Sequence, residues 1–195
     1  MNREEKKRET RKRIVEASLQ LFSEQGYEST TVAQITDMAG VGKGTFFNYF
    51  QSKEEILCDL QGFWAVDEIK KLYEQPGPYV LRIREMMVEL VKRMNLNRPL
   101  CKVMLLGPLS SPFNLANQNE ILTTVYEAAV PVIRVAQAEG EFDPSYTPEE
   151  LVRMAVQSFF GCLLFWAMEQ GEAELEVQME RTMDVFFAGV APCGK

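Results

Sequence analysis

The sequence predicts an all-α fold of about nine helices, divided into an N-terminal domain over residues 1–52 and a C-terminal domain over residues 53–195. Apolar residues recur at three- and four-residue spacings along nearly the whole chain, and no stretch shows the strict alternation of a half-buried strand. Thr31 with Gln34, Ser52 with Glu55 and Thr147 with Glu150 have the spacing of capping boxes that open helices. Gly26, Gly40 and the run Gln75-Pro76-Gly77-Pro78 close them. At 195 residues, 46% hydrophobic and 25% charged, the chain has the composition of an ordinary folded protein with one sizeable core or two small ones.

The first helix is expected from about Thr10 to Gln25, with Ile14, Ala17, Leu21 and Phe22 as its buried stripe. Thr31 caps a second helix that turns Val32, Ile35 and Ala39 inward. Gly40 can take the left-handed conformation that stops it, and Val41 plugs the corner. A seven-residue third helix then carries Phe46 and Phe50 inside and leaves Lys43, Thr45, Asn48 and Tyr49 outside. The fourth runs from Lys53 to about Tyr73, long enough to leave the first domain and enter the second. A fifth spans about Tyr79 to Leu96, with Ile83, Met87, Leu90 and Met94 inward, and a short sixth spans Pro99 to Gly107. An irregular connector through Pro108, Pro112 and Asn114 precedes a seventh helix, about Asn117 to Glu139, which Pro131 should kink. Thr147-Pro148-Glu149-Glu150 is the strongest helix start in the chain and opens an eighth helix to about Gln170. The ninth covers about Ala173 to Val190.

Residues 30–56 carry the clearest functional signal. A short helix with a basic and polar outer face, braced by a second helix packed across it, is the geometry that enters a DNA major groove. Lys53, at the positive end of the fourth helix, suits a phosphate, as do the hydroxyls of Thr31 and Tyr49 and the backbone N–H groups near Gly44. Lys43, Thr45 and Asn48 are better placed for base edges: Lys reaches guanine, Asn pairs with adenine, and the Thr methyl meets a thymine methyl. The net charge of −7 argues against nucleic acid only until its distribution is read. Residues 1–13 hold seven Lys or Arg against three Glu, a local +4, whereas residues 61–195 hold twelve basic and eighteen acidic residues. A basic arm directly ahead of such a motif is well placed to reach phosphates or a minor groove.

These residues resemble the DNA-binding domain of the TetR family of bacterial transcriptional regulators. The resemblance rests on Thr31, Gly40-Val41, Lys43-Gly44-Thr45, Phe46-Phe47, Phe50 and Ser52-Lys53-Glu54, and covers about residues 10 to 60. It implies an N-terminal three-helix helix-turn-helix domain, a C-terminal helical ligand-binding and dimerisation domain, a pseudo-palindromic double-stranded operator, and a repressor released by a small-molecule inducer. Phe47 stands where the family usually has a phosphate-binding Tyr, so its ring can pack against a sugar without a hydroxyl contact. Gly42 stands where a Ser cap is common, which loosens the start of the reading helix.

In the C-terminal domain, apolar residues from Leu151 to Met168 surround the eighth helix nearly completely, which calls for partners on two sides. The ninth helix has one stripe of Leu175, Met179, Met183 and Phe186 and another of Val177 and Phe187. One stripe can face the core and the other a second copy, giving a homodimer through a four-helix interface. Eight of the ten Met residues lie beyond position 61, with both Trp. An apolar effector pocket lined by Phe63, Trp64, Met87, Leu90, Met104, Phe113, Tyr126, Phe160 and Trp166 is expected, with Tyr126 and Gln157 available to orient a polar group. The alternative is a DNA-binding regulator whose body binds a protein partner instead.

Other functions have little support in the residues. The chain has no His, no Gly-rich phosphate loop after a strand, and four widely spaced cysteines, Cys58, Cys101, Cys162 and Cys193. Neither an enzyme nor a metal or cofactor site is therefore expected. The longest apolar run, Phe159 to Met168, is ten residues, about half of the roughly 20 that span a membrane. A cytoplasmic protein is expected.

Overall fold

The computed structural model describes residues 3–74, 77–94, 96–107, 112–169 and 171–192, with side chains for all of these except 4, 54, 57–64, 112–114 and 117. Among the described residues nine α-helices follow one another: α1 (Arg3–Gln25), α2 (Val32–Ala39), α3 (Lys43–Phe47), α4 (Lys53–Glu74), α5 (Tyr79–Met94), α6 (Arg98–Leu106), α7 (Pro112–Ala138), α8 (Pro148–Met168) and α9 (Leu175–Gly189). No strand occurs among them.

Two helices begin earlier than the sequence suggested. Thr10 is not the cap of α1; its hydroxyl donates back to Lys6 O at 2.9 Å from within the helix. The preceding Arg, Glu and Lys residues are good helix formers, so the winding continues back to Arg3. The connector expected through Pro112 and Asn114 is instead the start of α7, with proline at the first helical position, where an N–H would have no intrahelical partner and the fixed φ suits the helix. Pro131 lies inside α7 with the helix continuing on both sides.

By packing, the chain forms two compact units, residues 1–61 with 94–118 and residues 62–93 with 119–195. The first has a core of Ile14, Phe22, Ile35, Phe46, Phe50 and Ile56, all buried. Leu100, Cys101 and Met104 of α6 are buried as well, and Asn97 caps that helix by accepting from Leu100 N–H at 2.8 Å.

In the second unit, the turn after α7 holds three segments together. Glu141 accepts from the N–H groups of Tyr79 and Val80 at 2.9 and 2.8 Å, capping α5 from 61 or more residues away. Phe142 packs on Phe187, ring centroids 6.3 Å apart. Asp143 N–H donates to Val190 O at 3.0 Å. This turn corrects one helix face: Leu175, Met179 and Met183 are buried as expected, but the fourth member of their stripe is Phe187, not Phe186. The contact with Phe142 draws Phe187 inward, and Phe186 is left half-buried against it.

α8 and α9 pack against each other. Thr147 and Glu150 complete the capping box, with Glu150 N–H donating to Thr147 Oγ1 at 3.2 Å and Thr147 N–H to Glu150 Oε2 at 2.8 Å. At 21 residues, with a mean hydropathy of 1.6 over its most apolar 18-residue window, α8 is long and apolar enough to cross a membrane, more than its ten-residue apolar run implied. Cys101 and Cys162 are buried thiols outside any disulfide, and burial pushes the Cys162 thiol upward. Cys58 and Cys193 fall outside the side-chain description.

Arg84 clamps α5 to α9 by donating to Asp184 and, at 2.8 Å, to Glu180. That hydrogen bond holds the Asp184 carboxyl below its usual range, and Lys71 with Arg93 does the same for Glu68. Carboxyls with lowered folded pKa values stabilise above their unfolded values, and this contribution disappears as pH falls through the folded ones. Resistance to urea should therefore drop as pH falls below the ordinary carboxylate range, from about pH 4.5 downward. Arg84→Met should flatten that dependence, and an unchanged slope would remove the clamp from the account.

Candidate nucleic-acid interface

α2 is fixed at both ends. Thr31 Oγ1 accepts from Gln34 N–H at 3.3 Å, and Gln34 Oε1 accepts from Thr31 N–H at 2.9 Å. At the other end Gly40 sits at φ 62° and ψ 42°. Gly40 N–H donates to Asp37 O and Val41 N–H to Thr36 O, at 3.2 and 3.0 Å. These are the paired bonds of a Schellman turn. Arg13 of α1 donates to Ala39 O and Gly40 O, placing a cation on the last carbonyls of α2. A Cβ at Gly40 would lie 3.0 Å from that guanidinium as well as in a left-handed conformation. Nothing but glycine suits this corner.

α3 then begins with little help from its own sequence. Gly42 supplies no side-chain cap, and Gly44 is a poor helix former. Burial holds it instead: Phe46 and Phe50 are buried, their ring centroids 5.8 Å apart. The helix is five residues long rather than seven. Tyr49 N–H and Phe50 N–H both donate to Phe46 O, at 2.9 and 3.0 Å, so the winding continues as a hydrogen-bonded turn through Asn48 and Tyr49.

With Phe46 and Phe50 pointing inward, Lys43, Gly44, Phe47 and Asn48 are exposed and Thr45 and Tyr49 are half-buried at the flank. At 3.6 residues per turn the four exposed positions span an arc of about 140°. α3 contains no acidic residue. Phe47 is 54% exposed and lies at the middle of the arc, between the lysine and the asparagine. An exposed ring there can meet a thymine methyl or a sugar. A Cβ at Gly44 would meet nothing within 4 Å, so packing does not require glycine, and the bare backbone is open to close approach.

Two residues expected at phosphates are already engaged. Lys53 Nζ donates to Tyr27 O, Glu28 O and Thr30 O at 2.9, 3.4 and 3.2 Å, and lies 4.2 Å from the centroid of the Tyr27 ring. An ammonium group has three protons, so a phosphate would have to displace one of these carbonyls. The Thr31 hydroxyl likewise donates to Gln34 Oε1 at 2.9 Å. α4 starts with Gln51 N–H donating to Glu55 at 2.6 Å. Sequence reasoning missed Arg13, which braces the turn, and Arg11, whose guanidinium sits 5.1 Å from the Phe50 ring centroid. Both lie in a run of like charges, where no local signal singles them out.

The residues expected to line an effector pocket are scattered in their description. Met87, Leu90, Met104 and Trp166 are buried, and Tyr126 and Phe160 half-buried. The side chains of Phe63, Trp64 and Phe113 fall outside the described residues. Trp166 Nε1 is committed to Ala173 O at 2.8 Å. An open groove of about 580 Å³ lies along α4, α5 and α9 and is lined mainly by charged residues, among them Lys71, Arg84, Glu89 and Glu180. None of the expected pocket residues lines it. Among the described residues no cluster of ligands could hold a metal ion.

A short helix set by a left-handed glycine turn, with a basic and polar outer face, defines α1–α3 as a helix-turn-helix domain. Residues 14–60 match the family model of bacterial regulatory proteins of the tetR family. Its N-terminal domain belongs to that family, whose members are DNA-binding transcriptional regulators. It is 46% identical over 66 residues to the HTH-type transcriptional regulator TcmR of Streptomyces glaucescens, a match covering 34% of this chain and only 28% of that regulator's length. The HTH-type transcriptional repressor DhaR of Mycobacterium sp. is 26% identical over 177 residues, 85% of this chain and 86% of that protein. In fold, the chain matches the FadR repressor of Thermus thermophilus in complex with lauroyl-CoA, with a TM-score of 0.67, 23% identity, and coverage of 95% of this chain and 97% of that one.

Replacing Lys53 by Met should lower the unfolding free energy by about 1–2 kcal/mol, since three loop carbonyls lose a charged donor. Urea denaturation without DNA reads this directly. An unchanged midpoint would mean that water serves those carbonyls equally well.

Proposed function

We propose that this protein is a homodimeric transcriptional repressor that leaves its operator when an apolar small molecule binds the C-terminal domain. The exposed arc of Lys43, Gly44, Phe47 and Asn48 on a helix held entirely from behind supports this reading most strongly. Lys43, Thr45, Phe47 and Asn48 read base edges or sugars, while Tyr49, Thr31 and the backbone at Gly44 fix the domain on phosphates. Lys53 contributes mainly through the loop it holds. Residues 1–52 form the DNA-binding part and residues 53–195 the effector-binding and dimerising part, in a cytoplasmic protein.

One reading head offers few base contacts, so two half-sites read by a dimer supply the specificity a genome demands. α8 exposes Met154, Leu164, Phe165 and Met168, and α9 exposes Val177 and Val185. At 3.6 residues per turn the α8 residues fall on one face. Gly161 lies on that face too, and a Cβ there would meet nothing within 4 Å, leaving room for a second helix to approach closely. These features support a four-helix interface between two copies.

The lauroyl-CoA held by the Thermus regulator is consistent with an apolar effector here. Buried Met87, Leu90, Met104 and Trp166 supply apolar candidates for its contacts, with Phe63, Trp64, Phe113, Tyr126 and Phe160 beside them in the proposal. α4 runs unbroken from Lys53 to Glu74, so an effector that displaces it alters the spacing of the reading heads. A drop of about 100-fold in DNA affinity requires about 2.7 kcal/mol of coupling between effector and operator.

Selection of genomic fragments by the purified protein tests the central reading. Enrichment of one pseudo-palindromic site is expected, and retention of all duplexes alike at moderate salt would overturn it. On that site Asn48→Ala should relax preference at one base pair per half-site, at a cost of about 1–3 kcal/mol. Equal losses at every position would take Asn48 off the base-reading face. Phe165→Glu should convert dimers to monomers in sedimentation without unfolding them. Persistent dimers would place the interface elsewhere.

A further inference from the structure

The first two turns of α1 are exposed wherever their side chains are described, Arg3 and Glu5 to Glu9. Ile14 and Val15 are the first buried residues of the helix, so residues 3–13 project about 16 Å beyond them at 1.5 Å per residue. One face of this stretch is basic. At 3.6 residues per turn, Arg3, Lys7 and Arg11 share an arc of about 80° with Ile14 and Ser18. Ile14 and Ser18 are both fully buried, so the basic stripe continues the inward face of α1 past the end of the core. Lys12, paired with Glu16 at 3.8 Å, lies on the other side together with Glu5 and Glu9.

The inward face points toward the reading helix. Arg13 reaches the turn before α3, and Arg11 sits over Phe50, just past its end. Lys7 and Arg3 are the next two steps along the same line, and both are exposed. We propose that α1 is a second DNA-contacting element: a rigid helical rod whose Arg3, Lys7 and Arg11 stripe binds the sugar–phosphate backbone beside the half-site read by α3. This rests on the operator-binding reading above. Duplex DNA is the occupant that fits, because a line of cations continuing from the end of a helix seated in the major groove meets the phosphates of the adjoining strand. A reach of about 16 Å corresponds to about five base pairs at 3.4 Å per phosphate along one strand. Such contacts add affinity and register but carry no sequence information.

The test uses the full-length protein and the site selected from the genome. Arg3→Ala/Lys7→Ala keeps good helix formers and removes two cations per protomer. The slope of log affinity against log salt should fall by about 1.8 per protomer, while the ratio of operator to random-duplex affinity at fixed salt changes little beyond a shared loss. Trimming about five base pairs from each flank should weaken the wild type and leave the double variant unaffected. Lys12→Ala, on the opposite face, should keep the wild-type slope. An unchanged slope in the double variant, or an equal drop in Lys12→Ala, overturns the stripe while leaving operator recognition intact. A wild type that prefers no duplex sinks the parent reading instead.

Discussion

α3 cannot hold itself together, and much of the N-terminal unit exists to hold it. Five residues are far short of the roughly 12–15 at which an isolated helix becomes even marginal, and two glycines at its start make matters worse. Its geometry therefore comes from outside. Gly40 and the Arg13 guanidinium set where the chain turns, Phe46 and Phe50 set how the helix is rotated, and Lys53 ties down the loop carbonyls between α1 and α2. The outward positions are consequently free of structural duty. That division explains how a rigid reading head can carry a bare Gly44 and an exposed Phe47 at its centre.

The helices themselves were legible because period and caps agree. Thr31 with Gln34 and Thr147 with Glu150 form the reciprocal bonds their spacing implied, and Phe46 and Phe50 point inward as their four-residue spacing required. What the sequence hid depends on partners distant along the chain. Lys53 lies 26 residues from Tyr27, and Arg13 lies 26 from Ala39, so neither pairing leaves a local trace. Lys53 at a helix start reads as a phosphate ligand until the carbonyls around it are seen. Phe186 and Phe187 are neighbours in chain and type, and only Phe142, arriving from another turn, decides which is buried. The start of α1 was misplaced because Thr10 can cap a helix or bond back within one, and the surrounding Lys, Arg and Glu residues favour the second.

α8 explains why composition alone mis-sorts helices of this kind. Its hydropathy would suit a membrane, yet its two apolar faces have different exposures. One carries Leu151, Phe159, Leu163 and Trp166 into the core, and the other presents Phe165 and Met168, each more than 60% exposed. A large apolar face left in water costs free energy that the folded chain does not recover by itself. In the proposed homodimer a second copy of the same face covers it with matching chemistry. The groove along α4, α5 and α9 is the opposite case, since its charges largely satisfy one another: Arg84 with Glu180 and Asp184, Lys71 and Arg93 with Glu68. Paired charges have little left for an outside ligand, which makes the groove a weaker candidate for an effector than the buried Met and Trp residues.

Charge sorting gives the proposed contacts a kinetic role as well. A chain of net charge −7 is repelled by DNA at long range, and residues 61–195, at −6, contribute most of that repulsion. Residues 1–13, at +4, offer attraction within about 10 Å at ordinary salt, where screening has not yet removed it. Encounters that bring the basic end of α1 toward the duplex survive, and those that bring the acidic segments are rejected. Because the stripe is part of the same rigid helix that carries Arg11 and Arg13, an encounter captured by Arg3 or Lys7 already has α3 aligned nearby. A flexible arm would capture DNA as readily but would leave that alignment to a separate search. Helical continuity from Arg3 to Gln25 thus turns a sequence-blind attraction into orientation of the reading helix.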